Sequence, residues 1–251
     1  MQGTLYTTLR DAIASDVPAA TARVIAGPLL GGELLLVHPS GVHGSLGDET
    51  VDAEVLTTLR TLLREGGTNQ LAVGEDRIFV ESFLPPPHLV VVGAVHIAIP
   101  LVTFASTLGY RTTVIDARGQ FATEERFPHA GTLIEAWPDE ALAQVHLHPG
   151  VAAVCLAHDP KFEDPAMHSL LRSDVGYIGA IGSRATSVDR RERLAAEGFT
   201  DDELNRIHGP VGLNIGAKTP EEIALAIMAE IVAVRRGRDP RQAVAPAKST
   251  A

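Results

Sequence analysis

A single cysteine, Cys155, in 251 residues leaves no partner for an intrachain disulfide and excludes a fold stapled by bridges. No apolar run reaches the roughly 20 residues that a membrane-spanning helix needs. No charged-then-apolar leader stands at Met1 to Ala20. These absences lead us to expect a soluble, cytoplasmic protein without a membrane partner. Positive charge is also scarce, with 21 Lys and Arg against 31 Asp and Glu and a net charge of -10. That balance argues against nucleic acid or an anionic membrane as the main partner, because both demand clustered cations. It does not exclude a small anionic ligand, since one site can be positive on an acidic protein. No internal repeat is present. What remains is ordinary for a globular chain: 45% hydrophobic and 21% charged residues, enough for one large domain or two modest ones.

The run Leu84-Pro85-Pro86-Pro87 divides the chain, because successive prolines remove backbone donors and fix an extended path. Before it, a helix at 5–14, strands at 22–27, 33–37, 41–45 and 77–81, and a helix at 52–65 suggest a small mixed α+β domain over 1–84. After it, strands at 89–93, 111–116, 132–135, 152–157 and 177–181 alternate with helices at 97–108, 138–145, 165–172, 186–197 and 220–235. Thr219-Pro220-Glu221-Glu222 opens the last of these with an N-cap, a first-turn proline and a capping-box carboxylate. Alternation of this kind predicts an α/β fold, a Rossmann-like parallel sheet over 88–236. Residues 237–251, rich in Arg, Pro, Ala and Ser, read as a loose tail.

The most informative stretch is Leu89 to Ala98, in which an apolar strand meets Gly93-Ala94-Val95-His96 and then a helix. With Asp116 about twenty residues on, at the end of the next strand, this is the layout of a dinucleotide-binding turn. Its second glycine, the one that lets backbone approach a pyrophosphate, is replaced by Val95. Asp116 then reads either as a contact to a ribose hydroxyl or as a cap, and Arg118 either accepts a 2'-phosphate or pairs with Asp116.

In an open parallel sheet a ligand sits beyond the carboxyl ends of the strands, so the residues that follow each apolar run are the candidates. They are Gly93 and His96, Asp116 and Arg118, His158-Asp159-Pro160-Lys161, Gly182-Ser183-Arg184, and the glycine-rich loop 209–216 that carries Asn214. Charge clustered after a buried strand is disfavoured unless it is used, although Asp159 acting as a cap beside a solvated Lys161 is the plainer alternative. Ser183 and Arg184 suit an anion cradle of backbone N–H groups and a guanidinium, or an N-cap and a surface ion pair.

Three other patterns fail on geometry. Gly216-Ala217-Lys218-Thr219 lacks the preceding strand and the glycine spacing of a phosphate-binding loop and reads as a helix cap. His146 and His148 have neither a third ligand nor a cysteine partner nearby, so we expect no metal site. Cys155, between Val154 and Leu156, reads as core, where burial opposes thiolate formation.

Gly-Ala-x-His-x-Ala at 93–98, Val-Ile-Asp at 114–116, the segment 121–128, His-Asp-Pro-Lys at 158–161, 177–184, and Arg206-Ile207-His208 through 219–224 together resemble the XdhC/CoxI family over about residues 88–236. The resemblance implies a Rossmann-like C-terminal domain beside a smaller, here shortened, N-terminal one. It further implies an accessory protein rather than a catalyst. Such a protein would bind the molybdenum cofactor (molybdopterin), support its sulfuration with a cysteine desulfurase, and deliver it as a homodimer to an apo molybdenum hydroxylase of the xanthine or carbon monoxide dehydrogenase type. Arg184, Lys161 and the Gly182–Ser183 amides would contact the anion, with His96, His158 and Asp159 toward the metal or nucleotide end. Two departures stand out: Val95 in a turn that usually reads Gly-x-Gly-His, and Gly47-Asp48-Glu49 where Gly-Gly-Cys often follows. The alternative is an NAD(P)-dependent oxidoreductase with Asp116 on the ribose and His158 or Lys161 as acid.

Overall fold

The computed structural model describes residues 3–39, 41–157 and 159–240, and the chain divides into two compact units, Met1–Pro85 and Pro86–Ala251. Most of the expected tail lies outside the described residues. No described helix is long and apolar enough to cross a membrane.

The first unit is a five-stranded antiparallel sheet with a helix on each face. Its elements are α1 (Gly3–Ala14), β1 (Ala19–Ala26), β2 (Glu33–Val37), β3 (Gly41–Ser45), α2 (Glu49–Glu65), β4 (Thr68–Val73) and β5 (Asp76–Phe83), with the strands ordered β3-β2-β1-β5-β4. Alternation along the strands sorts the faces. Ala20, Ala22, Val24, Leu34 and Leu36 pack with Val55, Leu59 and Leu62 of α2, whereas Ala19 and Leu35 pack with Leu5 and Leu9 of α1. Asp48 caps α2 by accepting from the N–H groups of Thr50 and Val51 at 2.8 and 3.1 Å.

The second unit contains β6 (His88–Val92), α3 (Ala98–Thr107), β7 (Arg111–Ile115), β8 (Thr132–Ile134), α4 (Pro138–Leu142), β9 (Val151–Cys155), α5 (Pro160–Leu171), β10 (Tyr177–Ala180), α6 (Arg184–Ala196), α7 (Asp201–Leu204), β11 (Ile207–His208) and α8 (Pro220–Arg235). Its six strands are all parallel and run β11-β10-β9-β6-β7-β8. Numbered from β6, this is the 3-2-1-4-5-6 order of a doubly wound nucleotide-binding sheet, whose connections reverse direction between β6 and β9. The α/β fold with a Rossmann-like parallel sheet beside a mixed domain is therefore the one that the alternating runs imply.

Both faces of this sheet are covered, which explains its unbroken Val, Ile, Leu and Ala strands. Leu89, Val91 and Val154 face α3 and α8, whose Leu101, Val102, Ile227 and Ile231 complete one layer. Val90, Val92, Ala153 and Cys155 face the other way, onto Leu142, Met167, Leu170 and Leu194. Three elements of this unit begin or exist where the sequence does not signal them, among them the one-turn α7. α5 starts at Pro160 rather than Pro165, because Asp159 accepts from the Lys161 N–H at 3.0 Å and Pro160 occupies the first turn. β11, a sixth strand, has only two residues.

The switch point depends on one glycine. Gly93 has φ +106, and a Cβ there would lie 2.8 Å from the Ala157 nitrogen in the loop after β9. Gly93→Ala therefore combines left-handed backbone strain with a backbone clash, and should destabilise the chain by about 1–3 kcal/mol. Chemical denaturation will check this. An unchanged midpoint at unchanged m-value would show that the two loops are not in contact.

Candidate functional site

The carboxyl edge of the sheet is level because each strand hands its ladder on to the loop that follows. Gly93 N–H donates to the Ile115 carbonyl at 2.8 Å, Leu156 N–H to Val92 at 2.8 Å, Ile181 N–H to Cys155 at 2.9 Å and Val211 N–H to Ala180 at 3.0 Å. With the Asp116 N–H donating to the Ile134 carbonyl at 3.2 Å, five loops are pinned side by side, and the candidates in the described residues share this edge. Arg118 and Arg184 follow strands three places apart, about 14 Å at the usual spacing of strands. His158 lies outside the described residues.

Asp116, 4% exposed, organises the turn side of this edge. One carboxylate oxygen, Oδ2, accepts from the Ala94 N–H at 2.8 Å and from Arg118 Nη2 at 2.8 Å. The other, Oδ1, accepts from Arg118 Nε at 2.8 Å and from the Arg118 N–H at 2.9 Å. Four bonds fill the lone-pair sites of a carboxylate, so a ribose hydroxyl would have to displace one of them. Of the roles open to Arg118, the pairing with Asp116 is the one made. Burial pushes the Asp116 pKa up, but the bonds from Arg118 and Ala94 outweigh it and leave the carboxyl below its ordinary value. Val95, at the place of the second glycine, is half-buried against the core, and His96 beside it is exposed.

Cations and aromatic rings alternate along one side of the edge. The Arg118 guanidinium lies 4.4 Å over the Phe121 ring and 5.6 Å from that of Phe162; Phe162 stacks on Trp137 with centroids 5.0 Å apart; and the Lys161 ammonium lies 5.2 Å over Trp137. Such contacts contribute about 0.5–1 kcal/mol each at exposed positions, and here they bring Arg118 and Lys161, predicted from separate loops, onto one surface. Asp159 is exposed and serves as the cap of α5.

The opposite side is built on α6 and the glycine-rich loop. Ser183, directly after Gly182, caps α6 in a capping box with Thr186. Arg184, in the first turn, is exposed. Asn214 is exposed in a loop fastened to α8: the Gly212 N–H donates to Glu230 Oε2 at 2.7 Å, as does the Tyr177 hydroxyl at 2.7 Å, and His208 Nδ1 lies 3.2 Å from Oε1. Burial again raises the Glu230 pKa and these bonds, from His208 and then from Tyr177 and Gly212, more than offset it, so the net direction is down. Lys218 and Thr219 donate their N–H groups to Glu222 and thus begin α8, as a helix cap would.

Several residues of this edge escape a reading of the sequence. Trp137 and Phe162 carry no periodic signal, although Phe162 directly follows Lys161. Glu230 is legible as an acid within the apolar run of α8. Cys155 is buried, and burial together with the nearby Glu163 charge pushes its thiol up to about 12. Among the described residues no group of His, Cys, Asp and Glu could hold a metal ion.

Residues 89–231 match the family model described as the XdhC Rossmann domain, and residues 12–74 that of the XdhC and CoxI family. A protein of Bacillus subtilis strain 168 named as a probable xanthine dehydrogenase component is 33% identical over 159 residues, covering 63% of this chain and 46% of that protein. PaoD of Escherichia coli K12, a molybdenum cofactor insertion chaperone, is 30% identical over 103 residues, 41% of this chain and 32% of that protein. The chain thus spans less than half the length of these curated relatives. A crystal structure described as a xanthine dehydrogenase from Bacillus halodurans shares the fold at 20% identity and a TM-score of 0.55, over 95% of this chain and 97% of that one.

Asp116 and Glu230 are both held below their ordinary pKa, so each contributes stability that is present above the unfolded carboxylate value of about 4 and is lost as pH falls through the folded value. Asp116→Asn and Glu230→Gln should each melt below the parent chain at pH 7, and the gap should narrow on acidification toward pH 3. Thermal melts across that range provide the check; a gap independent of pH would mean that the charge on these groups does not matter.

Proposed function

The chain belongs to the XdhC and CoxI family, and on that premise we propose that it is a maturation factor that holds the molybdenum cofactor and passes it to an apo molybdenum hydroxylase without turning it over. The observation that carries this reading is the division of labour at the carboxyl edge. Asp116, the carboxylate that would hold a ribose, is committed to Arg118 and the Ala94 N–H, while Lys161 and Arg184 present charge outward. Capture of an anionic pterin phosphate calls for such cations and for backbone donors. Turnover would require groups matched to charge that develops only in a transition state. The names of the relatives agree with this role: one is called a cofactor insertion chaperone, another a component of a probable xanthine dehydrogenase.

In this reading Arg118 and Lys161 steady the cofactor beside the exposed ring of Trp137 and the half-buried ring of Phe121, and Arg184 approaches it from α6. Gly93 lets the first turn lie against the loop after β9 and close the floor. His96 and Asp159 stand nearer the metal end. Sulfur would reach the bound cofactor from a cysteine desulfurase docked at the edge rather than through a cysteine of this chain, since the thiol of Cys155 is buried and protonated at neutral pH. The position at which Gly-Gly-Cys often follows in the family is taken here by Asp48 and Glu49, which open α2. A homodimer in the cytoplasm is the setting we propose.

The strand order alone also suits a nicotinamide cofactor, and Val95 and the filled Asp116 argue against it. Native mass spectrometry of the chain co-expressed with the molybdopterin pathway should find the pterin bound to a dimer, and addition of a desulfurase should exchange an oxygen for a sulfur mass. A particle without pterin would defeat the carrier role. So would hydride transfer from NADH or NADPH to a carbonyl substrate.

A further inference from the structure

A cavity of about 350 Å³ opens between the first two turns of α6, α7 and the segment after β11. Three guanidinium groups, those of Arg184, Arg190 and Arg191, line it together with Ser187, Asn205 and Gly209. Its other lining residues are apolar; Arg191 is already held by Asp201 at 2.6 Å and Asn205 at 3.1 Å, so Arg184 and Arg190 are the cations the cavity offers.

Arg190 is the informative member. Its side chain is 1% exposed, and Nη2 donates to Glu163 Oε1 at 2.6 Å and to the Ile181 carbonyl at 2.7 Å. Its Nε and Nη1 are equally buried and have no hydrogen-bond partner among the described residues. Buried donors on a charged group are costly to leave unmade. Glu163, itself 1% exposed, offsets the charge of Arg190 but reaches only one corner of the fork. A Cβ on Gly209 would lie 3.0 Å from Ser187 Oγ and 3.1 Å from Arg190 Nη1, so a side chain there would press on the unpartnered nitrogen. The two unmade donors of the Arg190 fork and the flanking, exposed Arg184 suit a tetrahedral oxyanion, which accepts several charge-assisted hydrogen bonds at once.

We propose that this cavity binds a phosphoryl group. The site shares Arg184 with the proposed cofactor edge but goes beyond that reading, since its other contacts, Arg190 and Gly209, take no part in it. A free phosphate and the phosphate arm of an organic monoester present the same chemistry, so both are sources to be separated by experiment.

The test is calorimetric titration of the full chain with inorganic phosphate, pyrophosphate and adenosine monophosphate. Saturable binding that weakens with salt is expected. Tighter binding of the nucleotide would assign the pocket to an organic monoester, and tighter binding of phosphate to the free ion; either supports the proposal. Arg184→Gln, on the exposed rim, should weaken binding about tenfold, and Gly209→Ala at least as much, with melting temperatures near that of the parent. Because Arg190 variants would also break the pair with Glu163, the role of Arg190 is read in the unaltered chain from its Nε–H resonance, which should shift on titration. No saturable binding, equal binding by both variants, or an unmoved Arg190 resonance would overturn the proposal. Absence of phosphate binding leaves pterin capture standing, and a pterin-free particle that still binds phosphate defeats only the cofactor reading.

Discussion

The clamp of Asp116 on the first turn is the interaction on which the edge of the Rossmann unit depends. One carboxylate ties the Ala94 N–H at the end of β6 to the Arg118 loop at the end of β7, and does so with every lone-pair site it has. The clamp fixes the guanidinium of Arg118 between Phe121 and Phe162, and through Phe162 it is continuous with Trp137 and Lys161 at the start of α5. A residue that in a dinucleotide site reads the ligand is used here to set the protein's own loops. Val95, at the place of the second glycine of such a turn, packs its side chain on the core.

On the other side of the switch point, order comes from buried charge. Glu163 on α5 and Arg190 on α6 join two helices beneath the ends of β9 and β10, and Arg193 reinforces the pair from 3.4 Å. Breaking such a pair by removing one partner costs about 3–5 kcal/mol, which is enough to hold the two helix starts in register. Glu230 does the same for the glycine-rich loop through Gly212, Tyr177 and His208. The two sides therefore use one device, a buried carboxylate that gathers backbone and side-chain donors, and both leave cations at the rim.

Much of this is legible in the sequence for definite reasons. Leu89 to Gly93 and Ala152 to Cys155 are apolar without alternation because both faces of the sheet are covered, and that pattern gives the parallel sheet and its edge. Thr219-Pro220-Glu221-Glu222 marks the start of α8 because capping is local. β4 is not legible, since Thr68 to Val73 at the margin of the antiparallel sheet has no buried residue to create a period. Nor is β11, too short for any pattern. The Glu163–Arg190 pair is a contact across 27 positions, set by how α5 and α6 pack, and Arg190 sits in the charged run Arg190-Arg191-Glu192-Arg193 as though it were surface. Pairings of that kind belong to the tertiary structure.

Trp137, the single tryptophan of the chain, stands 37% exposed between Phe162 and Lys161. Its emission is therefore a direct reporter of a guest at the carboxyl edge. Titration with molybdopterin should quench it saturably, and titration with NADPH should leave it unchanged once absorbance is corrected. Saturable quenching by NADPH with no response to the pterin would contradict a carrier of the molybdenum cofactor and restore a nicotinamide site.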